Sequence, residues 1–134
     1  MRVVLDTNVV VSAFLGKRCA PILVIWKQKR FTLFINSPIL DEYTRVLRRP
    51  LFALPELVIE DFLDYVYHHA HFVPPTSFVH LVHQDPSDDK FLDCALLAKA
   101  DYLVTGDPHL LNLCSFQQTK ILPPHEFLKL FHST

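Results

Sequence analysis

Four short runs constrain this chain more than anything else in it. Residues 2–5, 31–35, 102–105 and 120–122 are apolar at nearly every consecutive position and rich in β-branched and aromatic side chains. Between them lie stretches whose apolar residues recur with helical spacing. A strand that is apolar on both faces is covered on both faces, and sheets covered on both sides by helices are parallel ones. The alternation therefore predicts a three-layer α/β/α sandwich around a central, mainly parallel sheet. At 134 residues, half of them hydrophobic, the chain has material for one core and is read as a single domain over residues 1–134. It has only two glycines, Gly16 and Gly106, which excludes a glycine-rich phosphate loop or a dinucleotide fingerprint.

The helical stretches fall at 9–15, 22–26, 56–71, 88–99 and 124–131, with a short one around Leu110 and Leu111. Another starts at Ser37-Pro38, where serine suits an N-cap and proline a first turn, and stops before Pro50. A short strand is expected at 77–82 and a loop at 84–87. Every apolar run is interrupted well short of the roughly 20 residues a membrane helix needs, so no membrane span is expected. Asp6 and Asn8 break the N-terminal apolar stretch and fit poorly in a signal peptide, so a cytoplasmic protein is expected. Three cysteines, an odd number without a CxxC pair, fit neither a disulfide framework nor a thiolate zinc site; Cys19, Cys94 and Cys114 read as small core residues. A net charge of −1 gives no global field for nucleic acid, so any such contact must be local.

The acids carry the chemistry. Asp6 follows the first strand, Asp107 follows the strand at 102–105, Asp88 opens a helix, and Glu42 lies about one turn into the helix that starts at Ser37. In open parallel sheets, ligands bind beyond the carboxyl ends of the strands. Carboxylates brought together there repel by on the order of 4 kcal/mol per pair at about 4 Å. Among the segments around Asp6, Asp88 and Asp107, the only basic residue is Lys90, so the natural neutraliser is a divalent cation. Ligation by oxygen alone suits Mg²⁺ or Mn²⁺, ions that acidify water and stabilise phosphoryl transition states. The same positions also suit structural roles: Asp6 and Asp88 as N-caps, Asp107-Pro108 as a turn, and Glu42 on a solvated face.

Taken in order, VVLDTNVVVSAFL, SPILDEYTRVL and DPSDDKFLDCALLAKADYLVTGDPHLL resemble a PIN domain, and more narrowly the VapC-like toxin components of toxin–antitoxin systems. The resemblance runs from Val3 to about Phe131. It implies a four-acid site: Asp6, Glu42, one of the Asp88-Asp89 pair, and Asp107. Asp88 is favoured because the third acid precedes a helix hydrophobic, here Phe91, by three positions; Asp89 is the close second and assists. It also implies Mg²⁺- or Mn²⁺-dependent cleavage of single-stranded RNA, with Asn8, Ser37 and Thr105 as polar groups orienting ligands and water. The partners it implies are RNA and a cognate antitoxin; a homodimer or higher homo-oligomer is expected from the aromatic residues of the helix at 56–71.

Two rival readings remain: a catalytically silent RNA- or protein-binding module, and a nuclease acting on DNA. Arg45 and Arg49 lie at i+3 and i+7 from Glu42, so Arg45 reads as an RNA contact or else as a solvated helix end. His68 and His71 have zinc-ligand spacing without a cysteine, and histidines at a helix C-terminus are favourable anyway. The segment Phe62, Tyr65, Val66 and Tyr67 reads as a dimer face, and the C-terminal Phe127, Leu128, Leu130 and Phe131 as a docking element or the closure of the sheet.

Overall fold

A computed structural model describes residues 1–76 and 88–132. The strand expected at 77–82 and the loop at 84–87 lie outside these residues. Six strands form one sheet: β1 Arg2–Leu5, β2 Thr32–Ile35, β3 His71–Phe72, β4 Tyr102–Val104, β5 Ser115–Phe116 and β6 Thr119–Leu122. Their order is β3-β2-β1-β4-β6-β5. All neighbours are parallel except β5 and β6, which form an antiparallel pair. Helices on the two faces complete the expected three-layer sandwich.

The residues explain these choices. Val3, Val4 and Leu5 in β1, Leu33 to Ile35 in β2, and Leu103 and Val104 in β4 are all buried. Sheet pairing and helix cover thus take both faces of each strand, as their uninterrupted apolar runs require. Helices α1 Thr7–Phe14, α2 Ala20–Lys27, α3 Ser37–Leu47, α4 Glu56–His69, α5 Asp89–Ala98, α6 Pro108–Leu111 and α7 Pro124–Lys129 complete the described fold. A 3₁₀ turn at Pro50–Phe52 follows α3. Because glycine is scarce, turns and helix ends that need left-handed backbone use other residues. Lys99, for one, closes α5 at φ 51°.

Several expectations are corrected. The N-cap of α3 is Asn36, not Ser37: its side-chain oxygen accepts the Ile39 N–H at 3.0 Å. A fully buried asparagine serves better here than an exposed serine, because its amide also donates to Lys90 O at 3.3 Å and ties the start of α3 to α5. Helix α4 ends at His69, and His71 begins β3. Cys114 is exposed at a left-handed turn, whereas Cys19 and Cys94 are buried as expected. Phe62 and Val66, expected on a dimer face, belong to the core, and Tyr65 packs edge-on against buried Trp26. Phe127 is fully buried against Phe31 and closes the sheet, while Leu130 stays exposed.

The topology locates the site. The chain runs outward from β1 to β2 and β3, then crosses back to place β4 on the other side of β1. The carboxyl ends of β1 and β4, registered Leu5 to Val104, therefore sit at the point where the strand order reverses. Loops diverge there and open a crevice.

Candidate active site

Asp6 and Asp107 project from this crevice. The Asp6 N–H bonds Val104 O at 3.0 Å, so the residue after β1 is locked to the end of β4. Tyr43, fully buried in α3, donates its hydroxyl to Leu5 O at 2.6 Å and fixes the same strand end from the helix side. Asp6 then caps α1 through Oδ1, which accepts the Asn8 N–H at 3.4 Å. Asp107 caps α6, accepting the His109 N–H at 2.8 Å. The capping role and the site role thus coexist: a carboxylate has two oxygens, and in each residue the cap takes one.

Thr105 links the two acids. Its buried hydroxyl donates to Asp6 Oδ2 at 2.5 Å and accepts the Asp107 N–H at 3.0 Å. Glu42 reaches the cleft from α3 with its side chain only 13% exposed, not on a solvated face. Asp88 stands at the N-cap position of α5, but its side chain makes no capping bond. Its carboxyl instead stands against that of Asp107, where a hydrogen bond between the two needs one of them protonated. Asp6, Glu42, Asp88 and Asp107 line one cleft of about 330 Å³, walled also by Thr7, Asn8, Val46, Arg45 and Arg49. Among the described residues, Asp89 is not part of that wall. Asp93, another buried acid of α5, accepts the Thr76 N–H at 2.8 Å instead.

The electrostatics follow from burial and crowding. Burial pushes the Asp6 carboxyl above its usual range; the Thr105 hydroxyl and the Asn8 N–H oppose this, and the Glu42 and Asp107 charges add to it. The hydrogen bond from Asp88 holds Asp107 below its usual range, assisted by the His109 N–H and ring against its own modest desolvation. Such paired and opposed shifts within one cleft make these carboxylates candidates for a functional site.

Of the polar residues expected around the acids, Thr105 makes the contacts just described, and Asn8 reaches Asp6 only through its backbone. Ser37 is exposed, and among the described residues its hydroxyl bonds to none of the four acids. Two residues went unassigned in the sequence reading. Thr7 donates its hydroxyl to Glu42 Oε2. Lys90 Nζ lies 2.9 Å from Glu42 Oε1. The DTN triplet carried a signal for Thr7, a hydroxyl beside the first acid. Lys90 stood out as the only basic residue among the acid-bearing segments, but its pairing with Glu42 on another helix carried no local signal. Arg49 joins Arg45 on the wall although it lies beyond the end of α3. His68 bonds Asp64 O at 2.7 Å and His71 packs on Phe34, so the two do not form a zinc pair.

The donor set is wholly oxygen and strongly anionic, which suits a hard divalent ion. Among the described residues, no three acidic, histidine or cysteine side chains stand close enough to enclose an ion as they lie. Glu42 is held by Thr7 and Lys90, and Asp6 by Thr105 and Asn8, so each carboxylate is already engaged by a donor of the chain itself.

A parallel sheet with acids converging at its switch point defines a class of acidic-site α/β domains. The comparisons narrow this class. The PIN domain family matches residues 2–109, and the chain belongs to that family. In structure it is similar to a chain of VapBC2 from Rickettsia felis, solved bound to a DNA fragment from their promoter. That match has a TM-score of 0.62 at 17% identity and covers 92% of this chain and 98% of that one. No curated protein matches the sequence. Among the described residues no helix is long and apolar enough to cross a membrane.

Proposed function

We propose that this chain is a metal-dependent endoribonuclease that cleaves single-stranded RNA and is the toxin of a toxin–antitoxin pair. The observation that carries the reading is the convergence of Asp6, Glu42, Asp88 and Asp107, from four separate elements, on one cleft at the switch point of the sheet. Membership of the PIN domain family supports a nuclease, and the likeness to a chain of VapBC2, a two-component complex, supports an antitoxin partner. A cytoplasmic location is consistent with this reading.

In this reading Asp6, Glu42, Asp88 and Asp107 hold Mg²⁺ or Mn²⁺. The bound ion supplies neutralisation of phosphate charge and acidification of water. The chain's own groups do the rest. Thr105 orients Asp6 Oδ2, and Thr7 orients Glu42 Oε2. The exposed guanidinium of Arg45, with Arg49 beside it, offers charged donors to backbone phosphates entering the cleft. Burial of Asp6 keeps bulk water from its carboxylate and so preserves the strength of the local field.

The test is an assay of purified protein on unstructured RNA and on single-stranded DNA of the same sequence, with Mn²⁺, with Mg²⁺ and with EDTA. RNA is expected to be cut only when metal is present. Equal cutting of DNA would favour the DNA nuclease, and RNA binding without cutting would favour the silent module.

A further inference from the structure

Glu42 has a cation already. Lys90 Nζ lies 2.9 Å from Oε1, with side-chain exposures of 15% for the lysine and 13% for the glutamate. Arg45 Nη2 is 3.6 Å from the same oxygen, but its side chain is 68% exposed and water screens it. The other oxygen, Oε2, is taken by the Thr7 hydroxyl. Of the two cations, Lys90 is the closer to Glu42 and the less screened by water.

The position of this lysine runs against local preference. It is the second residue of α5, and a cation in the first turn faces the positive end of the helix dipole. Taking an ammonium and a carboxylate out of water is also costly. Two features hold it there nonetheless. Its backbone carbonyl is bound by Asn36, the N-cap of α3, so the starts of the two helices are fastened together. Its ammonium also lies 5.3 Å from the Phe91 ring centroid. The fastening brings the lysine to Glu42, six residues beyond Asn36 along α3.

We infer that Lys90 is a positioning residue that competes with a divalent cation for Glu42 Oε1, so that this lysine sets how tightly the site takes its metal. The inference rests on the metal-dependent reading above. It means that the acid cluster is partly neutralised from within the chain, and that taking up an ion requires the ammonium to leave the carboxylate. Glu42 is thereby held toward the cleft at low metal, while occupancy stays conditional on metal concentration.

The test measures Mn²⁺ affinity by EPR titration, at fixed pH and ionic strength, for the wild type, Lys90→Met and Lys90→Gln, each checked for native far-UV circular dichroism. Losing one cation beside the binding carboxylate is expected to tighten Mn²⁺ binding by roughly tenfold. Without added metal both variants are expected to melt lower than wild type, and Mn²⁺ is expected to raise their melting temperature more. In a Glu42→Gln background the Lys90→Met change is expected to tighten Mn²⁺ binding by clearly less than in the wild type, because the shared carboxylate is gone and only the through-space charge of the lysine is removed. Lys90→Arg, which keeps the charge, is expected to bind Mn²⁺ more nearly as wild type does than Lys90→Met. Unchanged or weaker Mn²⁺ binding in both folded Lys90 variants would overturn the inference and leave the nuclease reading standing. If wild type and variants alike bind no Mn²⁺ that depends on Asp6, both readings fall together.

Discussion

Replacing Asp6 with asparagine is expected to lower metal-dependent RNA cleavage by at least about a hundred- to a thousandfold, the loss typical of removing one preorganised group from a reacting site. Asp6 is the acid most firmly built in. It is buried, joined by its backbone to the end of β4, and bonded through its two side-chain oxygens to Asn8 and Thr105. Asparagine keeps the shape and an acceptor for the Asn8 N–H, and the Thr105 hydroxyl can rotate to accept from the new amide. The fold is therefore expected to survive, and burial supplies a sign for the stability. Burial raises the folded-state pKa of Asp6 above its ordinary value of 3.8. The folded protein thus holds this proton more tightly than the unfolded chain. The contribution of Asp6 is most favourable below the ordinary carboxyl pKa and is lost as pH rises through the raised one. At neutral pH and without metal, the ionised carboxylate is a cost that asparagine removes. Urea unfolding should show Asp6→Asn at least as stable as wild type at pH 7, with the difference shrinking as the pH is lowered toward 4. A stable variant with full activity would contradict the assignment of Asp6, and a variant that unfolds more easily at pH 7 would contradict the electrostatic account.

Phe91→Ala is expected to cost about 3–5 kcal/mol of folding stability, the range for emptying a buried phenylalanine site. Phe91 is fully buried in the first turn of α5, a helix that packs against β1, β2 and β4. The same turn carries Lys90 and follows Asp88, so the ring anchors both the third acid and the lysine opposite Glu42. Set against a typical domain stability of about 5–15 kcal/mol, such a loss is a large share. Phe91→Leu, which keeps most of the volume, should lose much less. The urea midpoints of the three proteins measure this directly. Equal midpoints for wild type and the alanine variant would mean that α5 is not anchored through this ring.

What could be read from the sequence had a local physical cause. Val3-Val4-Leu5 and Leu103-Val104 announce buried parallel strands because no polar residue alternates with them. Asp6 and Asp107 are legible because each directly follows such a strand, or lies within three residues of its end. The strands β3 and β5, two residues each, carry no periodicity and become strands only through pairing with β2 and β6. The cap of α3 was displaced by one residue because Asn36 and Ser37 are both good caps, and burial against α5 decides between them. The pairing of Lys90 with Glu42 joins residues 48 apart in the sequence; it depends on how α3 meets α5, which no local pattern encodes. The exposure of Cys114 follows from a left-handed turn after α6 that its apolar neighbours conceal.

The most direct test of the central claim is anomalous diffraction from crystals of this protein soaked in manganese, recorded near the manganese edge. The account predicts a peak in the cleft at the ends of β1 and β4, coordinated by the carboxylates of Asp6 and Asp107 and shared with Asp88 or Glu42. Carboxylates that remain in place without a peak at saturating manganese, or manganese bound only elsewhere on the molecule, would contradict it.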